Sequence, residues 1–134
     1  MLVHNTFTNK HDIEFAKLLH YQLFWCLCPN ANLYIENTLP NINLLLEEGC
    51  NLTIGTDSLA SNTSLSIFDE ISTIIKHYPA IKLEHLLRAA TFNGAKFLGI
   101  ENDFGLIEKN KNPGINLIKK NKGIYSVKIL VDIN

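Results

Sequence analysis

Between residues 1 and 100, short apolar runs alternate with helix-spaced segments. Strands separated by helices lie parallel, because a tight hairpin cannot join them. The first run is "MLVH". "TFTNKHD" then reads as loop and helix start, with Thr8 or Asn9 as the cap. Over residues 11–23, Ile13, Phe15, Ala16, Leu18, Leu19 and Leu23 recur at helical spacing. "LFWCLC" reads as a buried strand closed by Pro29, and "PNANLYIENT" as a polar loop. Pro40, Ile42, Leu44 to Leu46 and Gly49 outline a short helix, and "CNLTI" the next strand. Ile67, Phe68, Ile71, Ile74, Ile75 and Tyr78 mark an amphipathic helix ended by Pro79. Residues 83–98 read as one further helix, weakened inside at Gly94 and stopped at Gly99. In the tail, "GLIEK", "GINLI" and "YSVKILVDI" read as short strands joined by Pro-Gly and Lys-Gly turns. Asn110 to Lys122 reads as a solvated turn region. The order is therefore β-α-β-α-β-α-α followed by β-strands, an α/β chain.

A chain of 134 residues, 46% hydrophobic, can bury a core of its own. With 12 basic and 13 acidic residues it has no electrostatic footprint for nucleic acid or for an anionic membrane. The longest apolar stretch, "LLHYQLFWCLC", is interrupted by His20 and Gln22 and is too short for a span. "MLVHNTFTNK" carries no signal-peptide pattern. Cys26, Cys28 and Cys50 are odd in number and form no CxxC pair, which fits reduced thiols in a cytoplasmic protein.

In parallel α/β folds, chemistry collects at the C-terminal ends of the strands. Here the first strand ends in His4-Asn5, the second in Cys28-Pro29-Asn30-Ala31-Asn32, and the third in Gly55-Thr56-Asp57-Ser58. A His and an Asp brought to one face could bind a divalent metal, or act as an acid/base pair around a bound water. Each also has a structural reading. His4 can be an ordinary surface or core histidine, Asp57 an Asx-turn or helix cap, "CPNAN" a simple turn, and Cys28 a small core residue. His11, His20, His77 and His85 lie on or beside helices and read as structural. No nucleophile elbow, phosphate-binding glycine loop or dinucleotide fingerprint is present.

Taken in order, "VHN", "CPNANL" and "GTDSLASN" with "LSIFDEI" behind it resemble the second half of the metal-dependent amidohydrolase superfamily. The branch is that of the guanine, cytosine and adenosine or S-adenosylhomocysteine deaminases and the chlorohydrolase-type enzymes. "LLRAATFNGAKFLGI" and "FGLIEKNKNPGINLI" extend the likeness, which covers residues 1 to about 118.

The resemblance implies a TIM barrel with a catalytic metal, zinc or iron, at its C-terminal mouth. Residues 1–100 would be the C-terminal half of that barrel, about strands six to eight with their helices, and residues 101–134 part of a small β-domain. Asp57 would stand at the end of strand eight as metal ligand and proton shuttle, while metal-bound hydroxide attacks an sp2 carbon. His4 would match the strand-six histidine that steadies the substrate or the developing oxyanion. Cys28, Asn30 and Asn32 would line the substrate pocket, with Ala31 where Ser is common. Ser58 and Ser61-Asn62 would form the loop after the catalytic aspartate. The substrate would be a small molecule, a nucleobase or related amine.

The HxH pair and the strand-five histidine of that family have no counterpart here. The partners implied are therefore the missing N-terminal half or a second copy, and the isolated chain is expected to be inactive and marginally stable. The rival from another class is a small non-catalytic flavodoxin- or receiver-like binding module. "MLVHN" lacks the acidic residue a receiver domain would carry near its first strand.

Overall fold

The computed structural model describes residues 1–121 and 124–131. Three parallel strands, β1 (Leu2–Val3), β2 (Phe24–Leu27) and β3 (Asn51–Ile54), form one sheet in the order β1-β2-β3. Trp25 pairs with Leu52 and Cys26 with Thr53. The two faces of the sheet divide by alternation. Trp25, Leu27 and Leu52 join the main core with Ile13, Ile42, Leu45, Ile71, Ile74 and Leu86 from the helices. Cys26 and Cys28 form a second small cluster with Ala31. Sequential parallel pairing departs from the 2-1-3 order of a flavodoxin-type sheet, which would put the first strand in the middle.

The helix α1 (Lys10–Leu19) starts at Asn9, not Thr8. Asn9 and Asp12 form a reciprocal capping box: Asp12 N donates to Asn9 Oδ1 (3.2 Å) and Asn9 N to Asp12 Oδ2 (3.0 Å). Of its apolar residues only Ile13 is buried; Phe15, Leu18 and Leu19 face outward.

The segment read as a polar loop after "LFWCLC" is instead a helix, α2 (Pro29–Glu36). Pro29 occupies its first position, where a missing N–H costs nothing, and Asn37 closes it in the left-handed conformation (φ 51°). Turn-forming Pro and Asn here serve as helix ends. The short helix α3 (Ile42–Glu47) is capped by Asn41, so Pro40 lies just outside it.

After α4 (Ile67–His77), the single helix expected over residues 83–98 is two, α5 (Leu83–Ala90) and α6 (Phe92–Leu98). The break falls at Thr91 (φ −121°, ψ −84°), not at Gly94. Thr91 Oγ1 donates to Leu87 O (2.8 Å), offering the backbone an alternative to the helical ladder. From α6, Asn93 Nδ2 donates to Leu52 O (2.8 Å) and so covers the outer edge of β3. Across the sheet, Leu2 and Val3 are exposed and β1 has no second partner strand among the described residues.

"GLIEK" is not a strand. Gly105 (φ +88°) presses its backbone on α6, where a Cβ would stand 2.9 Å from Ala95 Cβ and 3.0 Å from Phe92 Cα. The last two expected strands form an antiparallel hairpin, β4 (Ile115–Asn121) and β5 (Ile124–Val131). The Lys122-Gly123 turn, and Asp132 and Ile133 of "YSVKILVDI", lie outside the described residues. No helix among the described residues is long and apolar enough to cross a membrane.

Candidate functional site

The parallel sheet puts three chain ends at one edge. His4 N donates to Cys26 O (3.0 Å), and Gly55 N to Leu27 O (2.9 Å), each extending the ladder one residue past its strand. The chain then turns sharply. His4 (φ 69°), Asn5 (φ 60°) and Asp57 (φ 57°) all adopt the left-handed conformation. His, Asn and Asp tolerate it better than most residues, and such backbone persists where its surroundings over-determine it.

Those turns bring the first and third strand ends together. His4 Nε2 and Asp57 Oδ2 stand 4.0 Å apart, with the side chains 38% and 33% exposed. That is too long for a hydrogen bond, and both side chains are partly open to solvent. Asp57 Oδ2 accepts a 2.6 Å hydrogen bond from Ser61 Oγ. Two ligands of one tetrahedral zinc at about 2.1 Å stand about 3.4 Å apart, so the pair as it stands is wider than two neighbouring positions of such a shell. Among the described residues no group of three or more His, Cys, Asp or Glu converges for a metal ion.

The other sequence-flagged residues take different places. Cys28 is buried at the start of α2. A Cβ at Gly55 would stand 3.0 Å from Cys26 Sγ and 3.5 Å from Cys28 Sγ, so the glycine makes room for both sulfurs. The Cys26 thiol, burial, and the Asp57 and Glu70 carboxylates all push the Cys28 thiol above its ordinary range. Asn30 and Asn62 turn their amides to Glu70 rather than to the His4–Asp57 pair. Asn32 donates to Thr6 Oγ1, and its buried Oδ1 has no partner among the described residues. Ser58 Oγ accepts from Ala60 N (3.3 Å), within its own loop.

Sequence reading gave Ser61 only a place in the loop and passed over Glu70. Ser61, not Ser58, is the hydroxyl on Asp57. Glu70 is completely buried on α4 beneath both loops. A signal for Glu70 existed: it falls on the helical stripe of Ile67, Ile71 and Ile74, where an apolar residue would be ordinary.

Over residues 1–133 the sequence matches the model of the amidohydrolase family. It is 34% identical over 117 residues to a 5-methylthioadenosine/S-adenosylhomocysteine deaminase of Saccharophagus degradans, covering 82% of this chain and 26% of that protein. It is 30% identical over 125 residues to an adenosine deaminase of Helicobacter pylori, covering 91% of this chain and 30% of the relative. The fold is similar to a zinc-bound adenosine deaminase from Xanthomonas campestris, with TM-score 0.71 and 31% identity, over 81% of this chain and 26% of that one. It is also similar to the aminofutalosine deaminase of Helicobacter pylori, with TM-score 0.74 and 28% identity, over 91% and 31% of the two chains. The chain thus spans between a quarter and a third of the length of these relatives.

Proposed function

The chain belongs to the amidohydrolase family, and on that premise we propose that it supplies part of the active site of a metal-dependent deaminase. In this reading residues 1–100 form about three strands of a (β/α)8 barrel with their helices, and residues 101–134 part of an adjoining β-domain. The exposed Leu2 and Val3 and the outward apolar side of α1 support it, since a further strand and helix would cover them. The sequential pairing β1-β2-β3 supports it too, against a flavodoxin- or receiver-like module.

The observation that carries the reading is the meeting of His4 and Asp57, 4.0 Å apart, at the C-terminal ends of two parallel strands. A divalent metal would be held there by Asp57, beside His4, and when bound would make a water acidic enough to serve as nucleophile near neutral pH. The remaining ligands would come from outside this chain, since one imidazole and one carboxylate are too few.

Deamination exchanges a C–N bond for a C–O bond: water adds to an sp2 carbon and ammonia leaves. Asp57 would accept a proton from the attacking water at its carboxylate and hand it to the departing amine. The hydrogen bond from Ser61 fixes the rotamer of that carboxylate. His4 would stabilise the negative charge that develops on the substrate. Asn32 in α2 would be the pocket residue behind β2, a reading supported by its buried oxygen without a partner among the described residues. The relatives point to a nucleoside or nucleobase amine as the substrate class.

The test is ammonia release from adenosine, 5′-methylthioadenosine, guanine and cytosine by the complete enzyme carrying this chain, before and after chelation. Release from a purine substrate, abolished by the chelator and restored by zinc, supports the reading. Absence of release from the whole panel contradicts it.

A further inference from the structure

Glu70 is the one charged side chain in the buried set among the described residues, at 0% exposed. Its Oε2 accepts Asn30 N–H (2.9 Å). Its Oε1 accepts Asn30 Nδ2 (3.0 Å) and Asn62 Nδ2 (2.6 Å). Both amides are held in that orientation from behind. Thr73 Oγ1 donates to Asn30 Oδ1 (2.6 Å), and Ser64 N donates to Asn62 Oδ1 (3.3 Å). Glu70 therefore meets only donors, the surroundings of a carboxylate and not of a neutral amide.

The two asparagines belong to different strand ends. Asn30 lies in the first turn of α2, behind β2; Asn62 lies in the loop behind β3. The second N–H of Asn62 Nδ2 reaches Thr56 O (2.8 Å), the carbonyl immediately before Asp57. One carboxylate thus ties both loops together, and the tie ends on the peptide that sets the left-handed backbone of Asp57 (φ 57°).

We propose that Glu70 is a positioning residue: its buried carboxylate holds Asn62, and through it the Thr56 carbonyl, so that Asp57 is presented toward His4. A fully buried carboxylate on the apolar stripe of α4 contributes nothing that an aliphatic side chain would not exceed for packing alone. Its geometry explains its place. The kinetic consequence rests on the deaminase reading; the geometric one does not.

The experiment replaces Glu70 with Gln, which keeps the shape but turns an N–H pair on a donor. Three controls accompany it: the parent chain, Asn62→Ala, which cuts the link to Thr56 O and leaves Asn30 bound, and Ile74→Val, a plain core trimming on the same helix. Hydrogen exchange at Asn30 N–H and the Asp57 backbone resonances are read in the chain itself; kcat and KM are read in the complete enzyme. Glu70→Gln should speed Asn30 exchange about 10- to 100-fold, as loss of a charge-assisted hydrogen bond implies. It should also shift the Asp57 resonances, and lower kcat with little change in KM. Asn62→Ala should shift Asp57 in the same way, and serves alone if the Gln variant does not fold. Ile74→Val should lower stability and leave Asp57 and kcat where they were. The inference is overturned if a folded Glu70→Gln variant leaves the Asp57 resonances in place, if Asn62→Ala does so where the Gln variant does not fold, or if Ile74→Val moves them equally. Shifted Asp57 resonances in the chain, together with a complete enzyme that releases no ammonia, would leave Glu70 its positioning role and remove the deaminase reading.

Discussion

The His4 imidazole and the Asp57 carboxylate face each other 4.0 Å apart, Nε2 to Oδ2, although two strand–helix crossovers separate them in sequence. Both residues sit one or more positions past a parallel strand, on left-handed backbone, with about a third of each side chain open. The meeting follows from topology. Strands that run parallel deliver their ends to one edge, and the tight turns there aim two side chains at a shared space.

This pair should be insufficient for tight metal binding. Isothermal titration of the chain with zinc should show no stoichiometric complex at micromolar concentration, because zinc takes three or four protein ligands. The chain should also release no ammonia from adenosine. Tight one-to-one binding that disappears in His4→Ala would show that this chain closes the ligand shell alone, contrary to the expectation.

Gly55→Ala should destabilise the fold by about 1–3 kcal/mol, the ordinary range for overpacking. The added Cβ would sit 3.0 Å from Cys26 Sγ, which lies in the strand beside it and has little freedom to withdraw. Trp25, the only tryptophan and 1% exposed, reports the transition through its fluorescence in urea. An unchanged or higher midpoint would mean that the two sulfurs yield without cost.

Burial raises the Glu70 carboxyl above its ordinary value of 4.5; the hydrogen bonds from Asn30 and Asn62 pull the other way and are outweighed. The folded state then holds the proton more tightly than the unfolded state. The corresponding stability is fully present below the unfolded pKa and is lost as pH rises through the folded one. Denaturation of the parent chain between about pH 4 and pH 8 should show stability falling as pH rises through the folded pKa of Glu70, a slope that Glu70→Gln removes whatever its own offset. A relative gain in the parent as pH rises would reverse the sign and contradict it. The cost at neutral pH is consistent with a residue kept for geometry.

The parts of this architecture that were legible in sequence rest on periodicity and on strand ends. "LFWCLC" and "CNLTI" read as strands because their aromatic and β-branched content left no other element, and they pair in register at Trp25 and Leu52. His4 and Asp57 stood out because each closed an apolar run. The helix α2 was hidden because Pro29, Asn30 and Asn32 are turn formers, and only their positions within the helix distinguish an end from a turn. The break at Thr91 was hidden because a threonine hydroxyl bonding back to Leu87 leaves no mark in composition, whereas Gly94 does. Glu70 was visible as an acid on an apolar stripe, but its partners Asn30 and Asn62 come from other elements, and pairing of that kind is set by tertiary structure. The chemistry of Asn30 and Asn62 was unreadable for the same reason.

The most direct test is the Asp57→Asn variant of the complete enzyme that carries this chain, assayed for ammonia release from a purine nucleoside. Asn keeps the size of Asp57 and an oxygen for the Ser61 hydrogen bond, and removes the capacity to carry a proton. The expected result is a fall in kcat of about 10²- to 10⁴-fold, the range general acid–base catalysis supplies, with the unfolding midpoint retained. A folded Asp57→Asn enzyme that releases ammonia at the parent rate would contradict the assignment of Asp57 as the proton carrier.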